Sequence, residues 1–134
     1  MSTGTPAVIE RWHRLVASRD AEALDDILAA DVVFESPVVH APQAGKAITL
    51  TYLKAALLVL NNDKFRYLGE WFAQDSAVLE FVTEIEGITI NGVDMIHWNA
   101  EGRIVGFKVM VRPLKAINLL HQMMARTLQG AAQQ

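Results

Sequence analysis

The 134-residue chain has no cysteine, which excludes a disulfide framework, a thiolate nucleophile and any metal site built on sulfur. Such a composition suits the reducing cytoplasm. Basic charge is not in excess either. Twelve Lys and Arg against fifteen Asp and Glu leave a formal net charge of −3, and the cations are scattered, so nucleic acid is not an expected partner. The four histidines show no HxH or HxxxH spacing, and no metal and no cofactor is expected. Long apolar runs are missing as well. The longest, from Ala47 to Leu60, is interrupted by Lys54 and is too short to span a bilayer. The N-terminal MSTGTPAVIERW lacks the basic start and apolar run of a signal peptide. A cytoplasmic protein without a membrane partner is the expectation.

What is there is apolar: 51% of the residues are hydrophobic and 20% charged, more than one core of this size requires, so that a cavity and an interface between copies are both expected. The length suits a single domain, residues 1–134, burying roughly two thirds of its unfolded surface. Val8, Trp12, Leu15 and Val16 share one face of a helix starting after Pro6. Asp20 is placed to cap a second helix in AEALDDILA, with Leu24, Ile27 and Leu28 as its buried stripe. Asp31 to Pro37 reads as a strand stopped by proline, and Lys46 to Leu60 as a third helix ended by Asn61-Asn62-Asp63. From Phe65 onward the period changes to two. Phe65 to Phe72, Ala77 to Glu86, Ile88 to Asn99 and Arg103 to Arg112 are separated by short turn signals, which makes them antiparallel neighbours. Pro113 opens a last helix with a stripe of Leu114, Ile117, Leu120, Met124 and Leu128 and a stop at Gly130. The fold class is therefore α+β, a curved antiparallel sheet wrapped around N-terminal helices, with a core over about 7–112 and a C-terminal helix over about 113–129.

Asp94 stands out because its same-face neighbours at period two are Gly92, Ile96 and Trp98. If that face is interior, the carboxyl is directed into apolar surroundings, where an acid is either functional or tied to a neighbour that holds strand register. His97 falls on the opposite face. His40, in the loop HAPQAG, is either a solvated loop residue or a base near neutral pKa at the mouth of a cavity. His13, beside Trp12, can face inward or outward.

The stretches ALDDILAADVVFESP (23–37), Gly45-Lys46 and GVDMIHWNAEGRIVGF (92–107) resemble the SnoaL-like branch of the nuclear transport factor 2-like superfamily, over roughly residues 7–112. The resemblance implies a cone-shaped, cystatin-like roll with a pocket, a fold that hosts isomerases, cyclases, hydrolases and non-catalytic binding domains. In the ketosteroid isomerases of that superfamily a protonated Asp shares the oxyanion site with a Tyr, and a second Asp before a proline is the base. Asp94 matches the first Asp in context; the base position falls on Ser36 and the helix-1 tyrosine near Trp12 or His13. The resemblance thus implies a small hydrophobic or polyketide-like ligand, with Asp94 and His40 as candidate catalytic groups. Trp12, His13, Tyr52, Phe81, Phe107 and Val109 are the candidate ligand wall. It also implies a homodimer paired through the sheet face opposite the cavity, where Val78 and Val82 alternate with Glu80 and Glu84. The competing expectation is a non-catalytic ligand-binding or dimerisation domain in which Asp94 is structural.

Overall fold

A computed structural model describes residues 4–132. The chain opens with helix α1 (Ala7–Ser18), whose Val8, Ile9, Trp12, Leu15 and Val16 are buried. It ends at Arg19, left-handed at φ 56°, where the backbone N–H groups of Arg19 and Asp20 reach back to Val16 and Leu15. Strand β1 (Leu28–Glu35) is followed by the two-residue β2 (Gln43–Ala44) and helix α3 (Lys46–Leu60). Then come β3 (Arg66–Phe72), β4 (Ser76–Ile85), β5 (Ile88–Trp98), β6 (Ile104–Arg112) and helix α4 (Leu114–Ala132). Between α1 and β1 the expected second helix shrinks to a 3₁₀ turn (Ala21–Ala23), started by the Asp20 carboxylate accepting from the Glu22 N–H, and the single-turn α2 (Leu24–Ile27). Leu28 leaves the helical period because it pairs with Ile104 of β6, so tertiary pairing overrides local propensity.

The described strands form one six-stranded curved sheet in the order β2-β1-β6-β5-β4-β3. Hairpins make β3 to β6 an antiparallel meander. One pairing departs from the antiparallel expectation: β1 runs parallel to β6. A tight turn can only make antiparallel neighbours, and these two strands are joined by everything from β2 to β5 rather than by a turn. Along β4 the alternation is complete, with Ala77, Leu79, Phe81, Thr83 and Ile85 buried. Their face packs against α1, α3 and α4 in one core.

The last helix differs from its expected stripe. Leu114 is 71% exposed, and the buried face is carried by Ala116, Leu119, Leu120 and Met124. Helix α4 begins at Leu114, directly after Pro113, whose carbonyl receives the Ala116 and Ile117 N–H groups. A residue in that first exposed turn has nothing to bury against. Gly130 lies inside the helix rather than after it.

Candidate functional site

The concave face of the sheet and the helices enclose a cavity lined mainly by apolar side chains. The space between its walls is about 590 Å³ counting the open mouth, but the centre of a water-sized sphere can occupy only about 40 Å³ of it. The site is therefore a slot. Trp12 of α1 and Phe107 of β6 meet at 5.0 Å, Phe65 stacks on Phe81 at 5.5 Å, and Tyr67 stands edge-on to Phe65 at 5.1 Å. From α3 and α4, Leu53, Leu57, Leu120 and Met124 close the opposite side.

Asp94 projects into this slot from the middle of β5, between Leu79 of β4 and Val109 of β6. It is 7% exposed. Its hydrogen bond among the described residues comes from Tyr67, whose hydroxyl donates to Oδ2 at 2.8 Å. The indole Nε1–H of Trp12 donates in turn to the Tyr67 hydroxyl at 2.8 Å. No fully occluded side-chain oxygen or nitrogen among the described residues lacks a partner, so Oδ1 of Asp94, which has none among those residues, is open to the cavity. Burial pushes the Asp94 carboxyl up to about 7, against a smaller downward pull from the Tyr67 hydrogen bond. Tyr67 is held well above its ordinary value of 10, first by burial and then by the neighbouring Asp94 charge.

Tyr67 reaches the site because β3 is bulged. Tyr67 pairs with Phe81 of β4, but Gly69 pairs with Glu80, leaving Leu68 as an extra residue that flips the phase of the strand. Before the bulge Tyr67 shares the inner face with Phe81; after it Glu70, opposite Leu79, does. Gly92 supports the same wall. A Cβ there would stand 2.4 Å from the Met110 carbonyl and 2.7 Å from the Phe81 ring, so only glycine lets that ring lie over β5.

The candidates read from the sequence separate into two groups. Trp12, Phe81, Phe107, Val109 and Asp94 line the cavity. His40 does not: it is exposed, because only Ser36, Pro37 and Val38 of its loop fold onto the slot, in a turn closed by the Val38 N–H on the Ser36 hydroxyl. His13 lies outside the wall, paired with Glu70 and edge-on to Tyr67 at 5.2 Å. Tyr52 sits behind Phe34, 6.2 Å ring to ring, and does not reach the cavity. Tyr67 is the site residue that the sequence candidates lack; the signal for it was the alternation that puts it with Phe65 and Trp71 on the more aromatic face of that strand. Ser36 is in the wall with its lone pair engaged by Val38. No group of three or more His, Cys, Asp or Glu is placed to hold a metal among the described residues. No helix there is long and apolar enough to cross a membrane.

Fold and site together define a class: a small α+β roll whose concave face holds an apolar slot with one buried carboxyl. The SnoaL-like domain family model matches residues 9–107, and the chain belongs to that family. A steroid delta-isomerase from Pseudomonas aeruginosa is similar at 36% identity, covering 96% of this chain and 93% of that one, with a TM-score of 0.90. An uncharacterised protein with a cystatin-like fold from Silicibacter pomeroyi is similar at 27% identity, over 98% and 92% of the two chains, with a TM-score of 0.89. A hypothetical protein with a ketosteroid isomerase-like fold from Catenulispora acidiphila, solved in complex with trimethylamine, shares the fold at 17% identity, with a TM-score of 0.63 over 85% and 91%. No curated protein matches the chain.

Proposed function

We propose that this protein binds a small, largely apolar molecule through a single carbonyl or hydroxyl, with the Asp94 carboxyl as the hydrogen-bond donor and general acid. The observation that carries the reading is the open Oδ1 of a carboxyl pushed up to about 7 in an otherwise apolar slot. At neutral pH both its forms are populated, which is the condition for giving a proton to a ligand oxygen and taking one back. The name of the 36%-identical relative supports a ketone-bearing polycyclic ligand. The small, mainly apolar cavity supports a compact, apolar one.

The two-carboxylate isomerase route is not part of this reading. Ser36 stands where the resemblance puts the base, and its hydroxyl accepts from Val38. It can donate a hydrogen to a ligand but cannot take a proton from carbon unaided. Losing a positioned base removes on the order of 10² to 10⁴ in rate. That gap favours the second reading, a binding protein with no turnover. The same reading includes a cytoplasmic homodimer. Its pairing surface would be the outer sheet face, where Val93 and Met110 alternate with Glu80 and Arg112 in a mixture suited to a partner.

The test is titration with a 3-oxo-4-ene steroid and with 2-decalone, followed by quenching of tryptophan fluorescence, alongside an isomerisation assay with the 3-oxo-5-ene steroid. Binding that weakens above pH 7, loses roughly 1 to 3 kcal/mol in Asp94→Asn and comes without isomerase-level turnover is expected. Rapid isomerisation would overturn the one-acid reading. Failure of every carbonyl compound to bind would overturn the function itself.

A further inference from the structure

The hydrogen bonds at the Tyr67 hydroxyl have a direction. An indole N–H is a donor and has no lone pair to accept with, so Trp12 occupies the accepting side of the Tyr67 oxygen. A phenolic oxygen carries its own hydrogen in the plane of the ring, with one good accepting direction beside it. Trp12 and Asp94 are its partners in the described structure. Were the Asp94 carboxyl to donate to Tyr67, the phenolic hydrogen would be left without an acceptor in apolar surroundings, which is costly. The hydroxyl therefore donates to Oδ2, and that oxygen is engaged whether Asp94 is charged or neutral.

We infer that Trp12 is a positioning residue: by pinning the Tyr67 hydroxyl as a donor to Oδ2, its indole N–H confines the Asp94 proton to Oδ1, the oxygen that faces the cavity. Trp12 is thus more than wall. The indole sets which end of the carboxyl a ligand meets, and it makes that end a donor as soon as the group is neutral. The inference rests on the proposed binding of a carbonyl only for its use, not for its geometry. Tyr67 and Asp94 are the titratable groups on the cavity wall, and β4, β6, α3 and α4 present apolar side chains to them. Beyond Tyr67, on its outer side, Glu70 of β3 and His13 of α1 are paired with each other, and Arg19, Asp63 and Arg66 line the same outer depression.

Two variants isolate the N–H. One replaces Trp12 by 3-benzothienylalanine, which keeps the bicyclic shape without the donor; the other is Trp12→Phe. The readout is the titration of the Asp94 carboxyl carbon by ¹³C NMR in the ligand-free protein, with Tyr67→Phe as the reference. A tyrosine hydroxyl polarised by the indole stabilises the carboxylate more strongly than a free one. Loss of the N–H should therefore raise the Asp94 midpoint by roughly 0.3 pH or more. Tyr67→Phe should raise it further, and in a Tyr67→Phe background the change at position 12 should have no further effect. A midpoint unmoved or lowered by the benzothiophene, or an effect that persists undiminished without the Tyr67 hydroxyl, would overturn the inference and leave Trp12 as packing. The carbonyl stretch of bound ¹³C-labelled cyclohexanone, measured at a pH where Asp94 is protonated, reads the use. It should lie lower in the parent than in the variants. If cyclohexanone does not bind the parent, the proposed function is weakened while the ligand-free titration still decides the role of Trp12.

Discussion

The two faces of β5 carry polar groups of similar size in opposite circumstances. On the outer face Asn91 gives its amide to the Glu80 carboxylate at 3.1 Å and the Phe81 carbonyl at 2.9 Å, and accepts from Arg112 at 3.2 Å. Three residues further on, across the sheet, Asp94 has apolar neighbours on both flanking strands, Leu79 and Val109, and among the described residues takes one bond, from Tyr67 beyond β4. The outer group is satisfied by the two adjacent strands, β4 and β6. The inner one has a single partner among the described residues and an oxygen facing the cavity. A buried acid with one oxygen unpaired in this way is costly to keep, and that cost is what the proposed ligand contact at Asp94 would offset.

The largest effect that tests this contrast is the pH dependence of stability. Asp94 sits at about 7 in the folded protein against 3.8 for an ordinary aspartate. The folded state thus holds a proton that the unfolded state releases, and stability contributed by the neutral group is fully present at low pH and lost as pH rises between these values. The loss amounts to roughly 4 kcal/mol at the top of the interval. Urea midpoints between pH 4 and 8 should fall in the parent and stay level, for this contribution, in Asp94→Asn, which should be the more stable protein above pH 7. Strong destabilisation by the Asn at pH 8 would instead mark a structural ion-pair member.

Smaller effects separate the faces at glycine. Gly92→Ala forces a methyl against the Met110 carbonyl and the Phe81 ring, and should cost about 1 to 3 kcal/mol while pushing Phe81 into the slot and weakening ligand binding. Gly106→Ala meets His97 at an ordinary 3.6 Å and should stay within about 0.5 kcal/mol. Thermal midpoints of the two variants, one in β5 and one in β6, give the comparison; equal losses would show that the sheet is no more tightly built over the cavity than outside it.

The smallest change in the folded chain belongs to the outer face. Met110 is 51% exposed, and Met110→Lys should alter the stability of the chain itself by no more than about 0.5 kcal/mol. If the outer face pairs two copies, sedimentation should show the dimer dissociating in this variant. A dimer that survives it unchanged would move the interface elsewhere.

Much of the fold was legible because it follows from periods that the chain keeps. Helix α3 begins and ends where the sequence places it, from Gly45-Lys46 to Asn61, and β4 alternates without interruption. The inward direction of Asp94 followed from the same period of two. Where the period breaks, the reading failed with it. The bulge at Leu68 puts Trp71 on the opposite face from Tyr67 despite their even spacing, and the pairing of Leu28 with Ile104 shortened the second helix. The exposed first turn of α4 misled the stripe at Leu114.

Sequence alone was sufficient for an α+β roll with apolar walls and an acid turned inward, because burial patterns are local and repeat every two or three to four residues. Which groups meet that acid was decided only by tertiary structure. Trp12, Tyr67 and Asp94 lie on three elements, 55 and 27 residues apart along the chain, and no local rule relates their side chains. Their 2.8 Å contacts depend on the sheet's curvature, the extra residue in β3 and the seat of α1 across the concave face. All three are settled by how the elements pack against one another.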